Sequence, residues 1–142
     1  QEEISLLIIG NAESRYEEFI DRKLSKVEFQ NLRLPFMNHE NLRQAYSAAD
    51  IGVWPGSPSN TIQEAMACNT AMILPKNKIV GHLIDGNGLL ENKDIEKATS
   101  YIQSLIQDKS ELEKSKRKSS EIAKRYSWES ISRELIEVYS RA

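Results

Sequence analysis

The stretch from Asp50 to Leu74 has the sequence DIGVWPGSPSNTIQEAMACNTAMIL, and the alternation of strand and helix is clearest there. Its first apolar run, Ile51–Trp54, predicts a short buried strand, because strands of parallel sheets are covered on both faces. The segment PGSPS at 55–59 predicts a loop, since proline and glycine interrupt strands and helices. Asn60–Cys68 then has helical composition, and Thr70–Leu74 is apolar again. This order predicts one β-loop-α-β unit of an α/β fold.

The loop before this helix is the candidate ligand site. In open parallel sheets, ligands bind beyond the carboxyl ends of the strands, where this loop lies. The first turn of a helix has unpaired N–H groups and the positive end of the helix dipole, so it attracts phosphate. The hydroxyls of Ser57, Ser59 and Thr61 add donors, and Glu64 follows one turn later, within reach of ribose hydroxyls. The Thr61-x-x-Glu64 spacing also fits a capping box, and both interpretations stay open.

The flanking segments continue the α/β pattern. Ile4–Ile9 predicts a buried strand that ends at Gly10, Lys26–Gln30 predicts a second strand, and Gly88–Leu90 predicts a short last one. A loop is expected at 31–37. Helices are predicted at about 15–24, 39–48, 95–107, 111–125 and 128–140, with Asn38, Asp94, Ser110 and Ser127 as N-caps of the last four. The apolar residues of the first helix should face the sheet: Tyr16, Phe19, Ile20 and Leu24.

Composition excludes several classes of protein. The chain has 142 residues and a net charge of −2, which fits one domain and gives no support to nucleic acid binding. No apolar run approaches the roughly 20 residues of a membrane-spanning helix. Cys68 is the only cysteine, so no internal disulfide forms and a reducing, cytoplasmic compartment is expected. His39 and His82 are isolated, and we expect no metal site.

The segment SPSNTIQEAMACNTAMIL at 57–74 resembles the donor-binding segment of retaining glycosyltransferases of the GT-B fold, in the group 1 or family 4 class. Five further segments resemble the same class in the same order: LLIIG at 6–10, VEF at 27–29, LRQAYSAADIGVWP at 42–55, IDGNGLL at 84–90 and YSW at 126–128. The resemblance implies a Rossmann-like parallel sheet flanked by helices, which forms the C-terminal half of a GT-B enzyme.

The resemblance also implies a function. The chain would bind a nucleoside diphosphate sugar as substrate, with no tightly bound cofactor and no metal. The full enzyme would transfer the sugar with retention to a saccharide or lipid-linked acceptor, in bacterial polysaccharide biosynthesis. The backbone of the loop at 31–37 would contact the nucleobase. The implied donor-binding residues are Gly10, Leu34, Gly56, Ser57, Ser59, Asn60, Thr61 and Glu64.

The sequence departs from the family pattern in four places, one of which is Ala71 where the family usually has proline. The family has a first Glu eight residues before the second, and counting back from Glu64 gives Gly56. Sugar selection therefore needs another group, and Ser57 or Asn60 can serve as a neutral hydrogen-bond partner. The Gly-Phe-Gly-like loop is replaced by PSN at 58–60. Asn69 stands where the family has a glycine at the helix end, and asparagine tolerates the left-handed conformation that this position needs.

In the family, one more strand and a whole acceptor-binding domain precede the segment at Leu6. We therefore expect a single nucleotide-sugar-binding domain, residues 1–142, from a longer two-domain enzyme, inactive alone and prone to self-association through unpaired sheet edges. The full enzyme is expected in the cytoplasm, at the inner face of the membrane. Two alternatives stay open: a non-catalytic nucleotide-binding module of flavodoxin-like type, and a degenerate, structural GT-B half.

Overall fold

The computed structural model describes residues 4–56, 58–91 and 94–141. The chain divides into two compact units, Gln1–Leu42 and Arg43–Ala142. Each unit contains its own parallel sheet flanked by helices, with two strands in the first and three in the second. The predicted α/β class is therefore confirmed.

The first unit is built on one βαβ crossover. Its elements are β1 (Ser5–Ile9), α1 (Ser14–Leu24) and β2 (Gln30–Leu34), and α2 (His39–Ala48) begins at its end. The strands are parallel, with Ser5 opposite Gln30 and Ile9 opposite Leu34. Gly10 has a φ of 144°, which favours glycine, and its N–H donates to the Leu34 carbonyl at 3.0 Å. This hydrogen bond joins the carboxyl ends of β1 and β2 at the turn that follows β1.

The position of the second strand was predicted wrongly. The strand expected at Lys26–Gln30 begins only at Gln30, and β2 occupies most of the predicted loop at 31–37. The N–H groups of Lys26 and Val27 instead donate to carbonyls at the end of α1, at 3.2 and 3.1 Å. These bonds hold the segment as a continuation of the helix end, so pairing with β1 starts later.

The first unit leaves much of its apolar surface exposed, contrary to the prediction that Ile4–Ile9 is buried. Leu7 is 43% exposed, and β2 is the one strand that pairs with β1 among the residues described. A two-stranded sheet covers little of its own surface. Tyr16 and Phe19, expected to face the sheet, are also exposed, whereas Ile20 and Leu24 are half-buried as predicted.

The second unit has a three-stranded parallel sheet in the order β3-β4-β5. The central β4 is buried from Ala71 to Leu74, as its apolar sequence predicts. Its core partners include Ile62, Met66 and Ile122. The elements are β3 (Ile51–Val53), α3 (Thr61–Ala67), β4 (Ala71–Pro75), a short 3-10 helix (Gly81–Leu83), β5 (Gly88–Glu91), α4 (Ile95–Gln107), α5 (Lys109–Arg125) and α6 (Trp128–Ser140).

Most predicted helix ends are confirmed. Asp94 accepts from the Lys97 N–H at 2.9 Å and Ser127 accepts from the Ser130 N–H at 3.2 Å, as expected for N-caps. Asn38 likewise accepts from the Asn41 N–H at 2.9 Å. Asn69 has a φ of 61°, the predicted left-handed conformation after α3.

The predicted cap of α5 is wrong. Asp108 caps this helix, because its carboxylate accepts from the Glu111 N–H at 3.0 Å, and Ser110 lies within the helix. A carboxylate is the stronger acceptor and adds a favourable charge at a helix start. The helix therefore begins earlier than the serine suggests.

Helix α6 has an exposed apolar stripe. Trp128 is 86% exposed, and Leu135 and Val138 are also exposed. These side chains form an apolar surface that is open to solvent on this helix.

Candidate functional site

The second unit brings several predicted residues together at the start of α3. The Trp54 indole Nε1 donates to Thr61 Oγ1 at 3.1 Å. Thr61 Oγ1 in turn donates to Ser59 Oγ at 2.9 Å, and the Thr61 N–H donates to the same oxygen at 3.3 Å. A hydroxyl has one hydrogen and two acceptor lone pairs. Because Ser59 accepts twice, its own hydrogen is the group it can offer to a ligand, and Ser59 is exposed.

The backbone of this turn differs from the expectation of unpaired N–H groups. The N–H of Ile62 donates to the Ser59 carbonyl at 3.1 Å, and the N–H of Gln63 donates to the Asn60 carbonyl at 3.1 Å. Asn60 already has helical backbone angles, φ −60° and ψ −25°, so its turn supplies acceptors to the first N–H groups of α3. This segment therefore offers an anion hydroxyl donors in preference to backbone N–H donors.

Glu64 lies one turn into α3 and is half-buried. The capping-box interpretation is not supported, since both backbone donors that it needs are bonded elsewhere. The Thr61 N–H goes to Ser59 Oγ at 3.3 Å, and the Glu64 N–H goes to the Asn60 carbonyl at 3.3 Å. The Glu64 carboxylate instead lies near Tyr46, where its negative charge acts on the phenol.

Tyr46 and Trp54 form an aromatic wall beside these groups, with ring centroids 6.4 Å apart and planes at 48°. Burial raises the pKa of Tyr46 above its usual value, a hydrogen bond with the Thr61 side chain opposes this, and the charge of Glu64 adds to the rise. Because Thr61 Oγ1 gives its one hydrogen to Ser59, the Tyr46 hydroxyl is the donor in its hydrogen bond with Thr61. Sequence analysis did not assign Tyr46 or Trp54 to the site. The signal for Trp54 was its position at the end of a strand, directly before the loop.

The first unit contains a pocket of about 140 Å³ at the carboxyl ends of β1 and β2. Two residues that were predicted separately, Gly10 and Leu34, both line it. The sequence missed the polar lining: Asn11, Glu17 and Arg33. Asn11 Oδ1 accepts from the Phe36 N–H at 3.0 Å, so its amide NH₂ is the part it can offer to a ligand.

Arg33 gives this pocket its charge balance. Its guanidinium lies 3.3 Å from a carboxylate oxygen of Glu17 and 3.1 Å from one of Asp21, both on α1. The ion pairs hold the flat guanidinium in place. The pocket thus combines a carboxylate, a guanidinium and a primary amide around exposed backbone.

The remaining predicted positions are placed as follows. Gly56 lies in an exposed part of the loop, where an added Cβ would meet nothing within 4 Å. Asn60 precedes α3 and makes no side-chain cap hydrogen bond. Ser57 lies outside the described residues.

Within 4–56, 58–91 and 94–141, no group of three or more His, Cys, Asp or Glu side chains is arranged to hold a metal ion. The helices in the described part of the chain are all too short or too polar to cross a membrane.

Comparisons with known proteins agree on the fold. The family model described as "Glycosyl transferases group 1" matches residues 1–108. Sucrose-phosphate synthase from Thermosynechococcus elongatus matches with a TM-score of 0.78 and 21% identity, over 95% of this chain and 37% of that chain. Anabaena HepE in complex with UDP and glucose matches with a TM-score of 0.71 and 19% identity, over 96% of this chain and 40% of that chain. Among curated protein sequences, none matches.

The structure of HepE in complex with UDP-glucose gives the same result, with a TM-score of 0.72. Identities near 20% establish the fold alone. This chain spans about two fifths of the length of these solved chains. The predicted fold, a Rossmann-like part of a GT-B protein, is confirmed.

Proposed function

The chain belongs to the group 1 glycosyltransferases, and we propose that it binds the nucleoside diphosphate sugar that serves as donor for a longer enzyme. In this proposal residues 1–142 act as one donor-binding domain. The enzyme transfers a hexosyl group to a saccharide or lipid-linked acceptor with retention, in the cytoplasm of a bacterium that makes surface polysaccharide.

The pocket of the first unit is the observation that supports the proposal most directly. Leu34 was expected near the nucleobase and Gly10 among the donor-binding residues of a separate segment, and both line one pocket at the carboxyl ends of parallel strands. Ligands of open α/β sheets bind at such ends. The Asn11 amide, the Arg33 guanidinium and the Glu17 carboxylate supply the donors and the acceptor that the polar edge of a base requires.

The groups at the start of α3 suit a diphosphate and a ribose. The Ser59 hydroxyl hydrogen is directed outward by the two bonds that its oxygen accepts. Tyr46 supports this group through its hydrogen bond with the Thr61 side chain. Donors fixed before the reaction stabilise the negative charge that develops on a leaving diphosphate. Glu64, half-buried and one turn along the helix, is assigned to the ribose hydroxyls.

UDP-sugars are the first donors to test, because HepE has been crystallised in complex with UDP and with UDP-glucose. The rest of the enzyme, an acceptor-binding domain, is proposed from the share of the relatives' length that this chain spans. Without it, the chain should bind the donor weakly and transfer nothing. Self-association through the exposed sheet of the first unit remains part of the proposal.

Isothermal titration with UDP-glucose, GDP-mannose and ADP-glucose tests the assignment. We expect saturable binding of one nucleotide and an affinity about 10- to 100-fold lower in Glu64→Ala, since hydrogen bonds to a charged group contribute about 1.5–3 kcal/mol. Gln63→Ala is the matched control, because Gln63 is exposed on the same turn and should leave affinity unchanged. If the wild-type chain binds a nucleotide saturably and Glu64→Ala binds it equally well, the carboxylate does not have the proposed role.

The competing function is a structural GT-B half that has lost its ligand. Gly56, at the position of the family's first Glu, favours it, because a glycine cannot contact a donor sugar through a side chain. If the folded wild-type chain binds none of the three nucleotides, this result would support the structural function and refute donor binding.

A further inference from the structure

Helix α1 presents two aromatic and three basic side chains to solvent. Tyr16 is 55% and Phe19 45% exposed, and Arg15, Arg22 and Lys23 are exposed beside them. At 3.6 residues per turn, the other four all lie within about 60° of Phe19 around the helix axis. These five residues form one continuous surface, here named the basic–aromatic face of α1.

Two of the three acidic residues of α1 lie away from this face. Glu17 and Asp21 lie on the opposite side of α1, where both pair with Arg33 of β2 at 3.3 and 3.1 Å. Glu18 is the exposed acid nearest the face and lies at its edge, four residues before Arg22 and about 40° from it around the helix axis. The basic–aromatic face therefore carries a local positive charge although the whole chain has a net charge of −2.

The cations and the rings are in contact. The Arg15 guanidinium lies 5.6 Å from the centroid of Tyr16, and the Arg22 guanidinium and Lys23 ammonium lie 5.9 and 5.5 Å from that of Phe19. At these distances a cation is attracted to the ring face. The three cations and the two aromatic rings therefore lie next to each other on one side of the helix.

This combination determines which partner fits. An apolar protein surface would cover the rings but would also strip water from three cations, which costs more than the rings contribute. An anionic bilayer surface suits both, because aromatic rings lie at the level of the headgroups and Lys and Arg interact with the lipid phosphates. We propose that the basic–aromatic face of α1 adsorbs reversibly to bilayers that contain anionic lipid. The proposal does not depend on donor binding.

Sedimentation of the whole chain with vesicles tests the proposal. We expect binding to phosphatidylcholine vesicles that contain about one third phosphatidylglycerol, little binding to pure phosphatidylcholine, and weaker binding as salt rises. Each basic residue near an anionic surface increases the partition coefficient about fivefold. Arg15→Gln/Arg22→Gln/Lys23→Gln should therefore lower it about 100-fold, whereas Arg15→Lys/Arg22→Lys should retain it.

A matched variant separates this face from overall charge. Lys114→Gln/Arg117→Gln/Lys124→Gln removes the same three charges from exposed positions of α5 and should change the partition coefficient less than threefold. Tyr16→Ser/Phe19→Ser should weaken binding even at low salt, because the rings are lost. Far-UV circular dichroism confirms that each variant is folded.

Three outcomes would overturn the proposal. The wild-type chain could ignore anionic vesicles, or the α5 variant could lose as much binding as the α1 variant. In the third outcome, Tyr16→Ser/Phe19→Ser leaves vesicle binding unchanged but alters the sedimentation coefficient of the chain without vesicles. The face would then be a contact between protein molecules.

Discussion

Asn87 should be among the most sensitive polar positions of the second unit. It is fully buried, and its side chain makes three hydrogen bonds that tie the turn before β5 to α5. Its Oδ1 accepts from the Asp85 N–H at 2.8 Å. Its Nδ2 donates to the Leu83 carbonyl and to Ser119 Oγ, both at 3.1 Å. Asn87→Ala removes all three bonds at once.

The cost depends on which partners can reach water. Ser119 and Leu83 are buried, so each loses a hydrogen bond without replacement, at about 1–3 kcal/mol. Asp85 is exposed, and its N–H can bind water at little cost. We therefore expect Asn87→Ala to lower the free energy of unfolding by about 4 kcal/mol. With a urea slope of about 2 kcal/mol/M, the midpoint should fall by about 2 M.

Urea titration followed by tryptophan fluorescence measures this change. Ser119→Ala provides the control, since it removes only one of the three bonds and should cost about 1–3 kcal/mol. The double variant should cost less than the sum of the two, because Ser119 is no longer left unpaired. A loss below about 1 kcal/mol in Asn87→Ala, or strict additivity in the double variant, would refute this account of the turn.

Three further changes have defined expectations. Gly88→Ala should destabilise the chain by about 3 kcal/mol in urea titration, because a Cβ there would overlap the backbone carbonyl of Met72 on the adjacent strand. Gly56→Glu should leave the urea midpoint unchanged, since a Cβ meets nothing within 4 Å, and should tighten donor-sugar binding in titration if it supplies the family's missing acid. The raised pKa of Tyr46, caused first by burial, means that the folded chain holds this proton more tightly than the unfolded chain. Stability should therefore be complete below pH 10 and decline above it, and Tyr46→Phe should make the alkaline decline shallower in urea titrations across pH.

Features that depend on local backbone chemistry were predicted well. The crossover from β3 through α3 to β4, the left-handed Asn69 and the caps at Asp94 and Ser127 each follow from a few adjacent residues. Side-chain networks were not predicted. The chain from Trp54 through Thr61 to Ser59, and the three bonds of Asn87, join residues whose partners are set by packing. Periodicity carries no information about such partners.

The two errors in the first unit both concern the surroundings of Arg33. Sequence analysis placed Arg33 in a loop, because VEF at 27–29 has the stronger strand pattern. In β2 its guanidinium instead pairs with Glu17 and Asp21, at 3.3 and 3.1 Å, and this draws the acidic side of α1 to the sheet. Tyr16 and Phe19 must then point outward, although apolar spacing alone predicts the reverse. The exposed rings of α1 therefore lie opposite an ion-pair pattern that becomes visible only when β2 is placed correctly.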